Sequence, residues 1–222
     1  MNRLSLLAVS AALLLVSPAV ARRSAGYAGS LPDGQVTGAF GTGDCSKLNG
    51  APSLGHLLVP FFEECAMVVP SPDRRFSLQK RANEAALNIF DGRKRLLTIP
   101  LTQPAVMMWN PSSTGFFVND GDGSGQSSRF RYFRVFGGKW QESDALNKRA
   151  EQLFLHKQDC RPGAYVNVSG IAWTRGGLVK AVIQEGVHSI GCLEPSDGDI
   201  ALEIIADPLG KSVRLQRVRV DR

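Results

Sequence analysis

Ala105-Val106-Met107-Met108-Trp109-Asn110-Pro111-Ser112-Ser113-Thr114-Gly115-Phe116-Phe117-Val118-Asn119 is the stretch that decides how this chain folds. An apolar run ends on an indole, a polar Asn-Pro-Ser-Ser segment turns the chain, and a second apolar run leaves the turn. Both runs are too short for helices and are bounded by turn residues, which is the pattern of two antiparallel strands. The upstream sequence follows the same plan. Cys65 to Val69 is apolar, Ser71-Pro72-Asp73 turns the chain, and Phe76 to Lys80 and Ala85 to Phe90 follow. Asp91-Gly92 is a hairpin signal, and Leu96 to Leu101 comes next. Downstream of Asn119, a Gly-rich loop leads to Arg129 to Phe136, then Gly137-Gly138 and Lys139 to Glu142. A third set begins at Val166 to Trp173, turns at Thr174-Arg175-Gly176-Gly177, and continues through Leu178 to Gln184, Ile200 to Ala206 and Ser212 to Val220.

The turns at Pro72 and Pro111 lie 39 residues apart, and the turn at Arg175 lies 64 further on. A helix fills the excess. Asp144 is placed as its N-cap, and Leu146, Ala150, Leu153 and Phe154 share one face. Arg161-Pro162-Gly163 ends it. A period near 40 residues with four strands is the signature of propeller blades. The expected fold is all-β: about three four-stranded antiparallel propeller-like units, forming an incomplete propeller or a sandwich, with one inserted amphipathic helix. The repeats fall near 65–102, 105–142 and 166–220, inside a single β-rich domain over 57–222.

Trp109-Asn110-Pro111-Ser112-Ser113 followed by Phe116-Phe117-Val118 resembles the WD40-like repeat of TolB-type propellers, which reads Trp-Ser-Pro-Asp-Gly and then an apolar strand. Ser71-Pro72-Asp73-Arg74-Arg75-Phe76 is similar and keeps the Pro-Asp, while Trp173-Thr174-Arg175-Gly176-Gly177 keeps the Trp and the Gly turn. The resemblance covers about 65–220 and implies repeat architecture. It implies no catalytic residue, because the motif forms a turn and a packing anchor. A closed propeller has at least four blades, and three are counted here. An open stack, closure by the N-terminal segment and completion by a homodimer are the three ways left.

The N-terminus reads as a secretory signal peptide. Met1-Asn2-Arg3 is a positive start, Leu4 to Val16 is apolar, and small residues precede a cut after Ala21. The apolar run is about 13 residues, shorter than the roughly 20 needed to span a bilayer. No later stretch reads as a span. Residues 22–56 form a Gly/Ser-rich leader expected to be flexible. The mature protein is thus expected in a bacterial periplasm, or secreted. Four cysteines, Cys45, Cys65, Cys160 and Cys192, suit disulfides in an exported chain. Three pairings are open. Cys45–Cys65 with Cys160–Cys192 is preferred, since each closes a local loop worth roughly 3 kcal/mol in the chain-entropy account.

The chain carries 26 Lys and Arg against 20 Asp and Glu, a net charge of +6. Basic clusters at Asp73-Arg74-Arg75 and Arg93-Lys94-Arg95 sit at expected turns. Nucleic acid, which calls for a basic face with interleaved aromatics, is not the expected partner, because the excess charge is spread along the chain and export argues against it. Weak attraction to anionic surfaces stays open.

Asn119-Asp120-Gly121-Asp122-Gly123-Ser124-Gly125 is the sharpest local feature. Asp120, Asp122 and Ser124 alternate as do the first oxygens of a calcium loop. Arg131 stands where the closing Glu belongs, and Gly and Asp suit a plain hairpin loop equally. Calcium is the only cofactor the residues suggest. His56, His156 and His188 have no ligand spacing, and Ser189 beside His188 needs a proximity that spacing does not show. No nucleophile elbow, phosphate loop or dinucleotide fingerprint occurs, so no catalytic residue is assigned. Asn167-Val168-Ser169 fits a glycosylation sequon inside a strand. On the third strand of the second repeat, Arg and aromatics alternate. Arg129, Arg131, Tyr132 and Trp140 are the candidate partner-binding residues, of types enriched at interface hot spots. The expectation is a non-catalytic protein-binding or scaffold module of the envelope. A small periplasmic hydrolase and a calcium- or ligand-binding structural domain are the alternatives.

Overall fold

The apolar runs and turns fold into three antiparallel sheets with one helix. The computed structural model describes residues 59–61, 66–102, 105–121, 128–158, 166–185 and 199–221. The proposed signal peptide and leader, the four cysteines, His56 and His188 lie outside these. Strand β1 (Val59–Phe61) comes first in the chain. A meander follows of β2 (Met67–Pro70), β3 (Phe76–Lys80), β4 (Ala86–Asp91) and β5 (Lys94–Pro100). The second sheet holds β6 (Ala105–Trp109), β7 (Gly115–Gly121), β8 (Ser128–Phe136) and β9 (Lys139–Ser143), with β1 added beside β6 in the order β1-β6-β7-β8-β9. Helix α1 (Ala145–Gln158) precedes the third meander, β10 (Val166–Trp173), β11 (Val179–Glu185), β12 (Asp199–Ala206) and β13 (Val213–Asp221). Among the described residues, the sequence reading missed only β1 as a strand. It is three residues long with a central Pro60, which suits the edge position it takes.

The second sheet is the middle layer. Met107, Trp109, Phe116, Val118 and Phe133 face the first sheet and pack with Phe76, Leu78, Leu87, Ile89 and Ile99. Met108, Phe117, Phe130 and Tyr132 face the third sheet and pack with Val168, Trp173, Val179, Ile183 and Ile204. A strand covered on both faces has no polar side to present, so β6 and β7 read as continuous apolar runs rather than alternations. Helix α1 joins the second core through Leu146, Ala150 and Phe154, three of the four residues expected on its apolar face, and Leu153 is half-buried. Asp144 stands just before the helix, but its carboxylate turns to the Arg129 guanidinium. Among the described residues, no helix is long and apolar enough to cross a membrane.

Side chains that bond to backbone hold the layers together. The Trp109 indole N–H donates to the Val69 carbonyl of the first sheet, 3.3 Å away. The Trp173 indole N–H donates to the Met108 carbonyl of the second sheet, also at 3.3 Å. Val69 and Met108 are themselves 39 residues apart, so one device is used at both junctions. Asn119 adds a second tie. Its Nδ2 donates to the Gly170 carbonyl (2.7 Å) and its Oδ1 accepts the Gly170 N–H (2.8 Å). Gly170 is required there because a Cβ would lie 2.9 Å from the Phe117 ring. Asn147 repeats the arrangement on the helix, donating to the Phe130 carbonyl (2.6 Å) and accepting the Phe130 N–H (3.2 Å).

The turns repeat as well. Ser71, Asn110 and Thr174 each open the first turn of a sheet, and each side-chain oxygen accepts a backbone N–H across it, from Phe76, Thr114 and Leu178 respectively. Three residues later Arg74, Ser113 and Gly177 adopt positive φ of 60°, 61° and 77°. In the first turn Asp73 accepts hydrogen bonds from the Ser71 hydroxyl and the Arg75 N–H, which hold its carboxyl below the usual range.

Two outcomes follow from these ties. Asn119→Ala leaves the Gly170 N–H and carbonyl buried without partners and costs about 2–4 kcal/mol. Asn88→Ala, on the far face of the first sheet, costs within about 0.5 kcal/mol, both read from urea midpoints. For Asp73, a lowered folded pKa means the stabilisation is present above the unfolded value of 3.8 and is lost as pH falls through the folded value. The stability gap between the native protein and Asp73→Asn therefore closes on acidification below 3.8 and stays constant above neutrality.

Candidate functional site

Strand register draws one group of ionisable side chains together. Arg131 lies opposite Val118, and Asp120 opposite Arg129, so Asp120 and Arg131 are diagonal neighbours on β7 and β8. Glu142 lies opposite Phe133 on β9 and approaches Arg131 from the other side. The Arg131 guanidinium donates to Asp120 Oδ2 (2.5 Å), to Glu142 Oε1 and Oε2 (2.7 and 3.0 Å), and to the Pro100 carbonyl (2.7 Å). Asp120 Oδ1 accepts the Thr102 N–H at 2.7 Å. The side chains of Arg131 and Asp120 are only 11% and 9% exposed.

Burial works against charge at both residues, with different results. It raises the Asp120 carboxyl above its ordinary value, even with Arg131 and Thr102 donating to it. Burial alone would lower Arg131, but Glu142 and Asp120 outweigh it and hold the guanidinium above its ordinary value. The group is thus a closed clamp. It fastens the chain segment at Pro100 and Thr102, which leaves the first sheet, to β7, β8 and β9 of the second. The ring of Phe133 lies 5.3 Å from the guanidinium carbon and closes another side. Both Asp120 oxygens are engaged within the fold, one by Thr102 and one by Arg131. Asp122 and Ser124, the other two oxygens of the expected calcium loop, lie outside the described residues. Among the described residues, no group of three His, Cys, Asp or Glu side chains is set to hold a metal.

The candidate partner-binding residues separate in the structure. Arg129 is exposed and pairs with Asp144. Arg131 is locked in the clamp. Tyr132 is buried beside Trp173, ring centroids 5.9 Å apart, and burial raises its hydroxyl above the ordinary value. Trp140 is half-buried in an aromatic cluster with Phe76 (5.3 Å), Phe116 (5.6 Å) and Trp109 (6.0 Å). Both faces of the middle sheet are covered along the middle of β8, so Phe130 and Tyr132 point into one core and Phe133 into the other, with Arg131 against its ring. Of the four, only Arg129 is exposed. His156 is exposed on α1.

Sequence reading did not single out Asn119, Asn147 or Gly170, which the structure makes the main polar ties. A signal existed for two of them: Asn119 ends an otherwise apolar run, and Asn147 directly follows the buried Leu146. Comparison with protein-family models, with curated proteins and with solved structures gives no match to this chain.

Removing the guanidinium from the clamp leaves Asp120 and Glu142 facing each other without a cation. Arg131→Met is expected to lower stability by about 3 kcal/mol in denaturant unfolding, the cost of breaking a largely buried pair from one side. Arg129→Met, which opens an exposed pair, is expected to cost less than about 1 kcal/mol.

Proposed function

We propose that this chain is a non-catalytic β-repeat module of the bacterial envelope, exported before it works, that binds or scaffolds another envelope protein. The repeated junction carries the reading. Trp109 and Trp173 each bond back to a carbonyl of the preceding sheet, 3.3 Å away, so the turns are held in fixed relation to one another. A frame of this kind presents turns and strand edges in a set geometry, with little ordering left to do on binding. The Trp–turn–strand segments resemble WD40-like repeats, an architecture that generally contacts partners through loops and edges. The clamp at Arg131 supports the same reading, because its acids and its cation are spent on one another.

Crosslinking of tagged mature protein in living cells, followed by mass spectrometry, tests it. One abundant envelope protein recovered with the wild type is the expected result. Recovery of self-crosslinks alone would replace the partner with a second copy of the chain. No specific crosslink, together with hydrolysis of an ester or glycoside panel by purified protein, would replace the module with an enzyme.

A further inference from the structure

An antiparallel meander sends alternate turns to opposite sides, so the first and third turns of each sheet leave together. The three sheets share this direction. The Asp73 N–H donates to Ser113 Oγ at 3.0 Å, which places the first turns of the first two sheets side by side. Trp173, next to the first turn of the third sheet, bonds to Met108, next to the first turn of the second. One side of the stack therefore collects six turns, and five of them carry cations. Arg74, Arg93, Lys94, Lys139, Arg175 and Lys211 are all exposed there. None of the six is in an ion pair among the described residues. The acids of these turns are occupied locally. Asp73 accepts from Ser71 and the Arg75 N–H, Asp91 pairs with Arg75, and Asp207 accepts the Leu209 N–H. On the opposite side Arg81 pairs with Glu84, Arg131 with Asp120 and Glu142, and the Lys80 ammonium donates to the Arg81 carbonyl.

A second observation falls on the same side. Phe136, at the β8–β9 hairpin next to Gly137, Gly138 and Lys139, is 57% exposed. The guanidinium of Arg134 lies 4.9 Å from its ring centroid. One apolar tip among unpaired cations does not suit a nucleic-acid strand, which takes a succession of aromatic platforms along a groove. A layer of anionic lipid headgroups suits both features, attracting the cations and accepting a ring at its apolar boundary.

We propose that the turn side of the stack docks on a membrane surface through anionic lipid headgroups, with Phe136 as the inserted tip. This contact is separate from the protein-binding role, because vesicles contain no protein partner. The test is sedimentation of the mature chain, beginning at Arg22, with vesicles of phosphatidylcholine alone or mixed with phosphatidylglycerol. Binding is expected to the mixed vesicles and to fall steeply with added salt. Reversing three cations, Arg93→Glu, Lys94→Glu and Lys139→Glu, is expected to lower it by at least about tenfold. The matched reversal on the exposed face of α1, Lys148→Glu, Arg149→Glu and Lys157→Glu, is expected to lower it by less than about threefold. Phe136→Ser is expected to weaken binding while leaving its salt dependence unchanged. Each variant is first shown by circular dichroism to keep the native strand signal and unfolding midpoint. No binding to the mixed vesicles, equal binding to both vesicle types, or equal loss from the two triple reversals overturns the proposal. So does binding to duplex DNA at a salt concentration where vesicles do not bind.

Discussion

The bond from the Trp109 indole to the Val69 carbonyl organises this structure. A lone antiparallel sheet of four short strands buries too little on its own, and it gains stability by covering an apolar face. Two flat apolar faces can slide, because dispersion contacts carry little direction. The Trp109 indole N–H, buried in that contact, donates to the Val69 carbonyl and gives the packing a direction. Trp109 therefore sets the register between the first two sheets, and Trp173 does so for the second and third. Asn119 strengthens the second junction by treating the Gly170 peptide as if it were a neighbouring strand.

This arrangement explains where the polar groups sit. A middle layer with two apolar faces leaves nowhere inside for an unmatched charge. Arg131 enters that environment only in company, with both carboxylates and a carbonyl arranged around its planar fork. The clamp lies where the chain crosses from the first sheet to the second. There it also gives the Thr102 N–H an acceptor that no strand supplies. The loop that resembles half of a calcium site begins at the same Asp120. At that residue, acidity serves the fold.

The strands and turns were largely legible because their signals are local. Pro, Gly and Asn mark the turns, and apolar runs between them have strand length. The helix was legible from Leu146, Ala150 and Phe154 on one face and from Asp144 at its N-cap position, whose carbonyl accepts the Asn147 N–H while its carboxylate pairs with Arg129. The surroundings of a side chain were less legible. Arg129-Phe130-Arg131-Tyr132 alternates as a half-exposed strand does, and alternation alone cannot report that a second sheet covers the other face. Arg131 reads as exposed because its charge is visible in sequence, while Asp120 and Glu142 reach it only through strand pairing. Asn119 and Gly170 are 51 residues apart, and nothing local to either one announces the other.

The first sheet ends the stack on one side. In the second sheet, Met107, Trp109, Phe116 and Val118 face the preceding layer. The residues 39 positions earlier are Val68, Pro70, Ser77 and Gln79. Val68 is 46% exposed, Pro70 brings no indole to pin a further layer, and Ser77 and Gln79 bond to each other. That face has the polar composition of a capping repeat, which ends a stack by being content with water. The far face of the third sheet differs: Ser169, Val182 and Ala201 are buried there, beside the exposed Lys180 and Arg214. The two ends are therefore unlike. The cation-bearing turns share a side by the strand polarity common to all three sheets. Repetition of one junction thus does more than hold the layers: it gathers charges that are scattered through the sequence onto one surface.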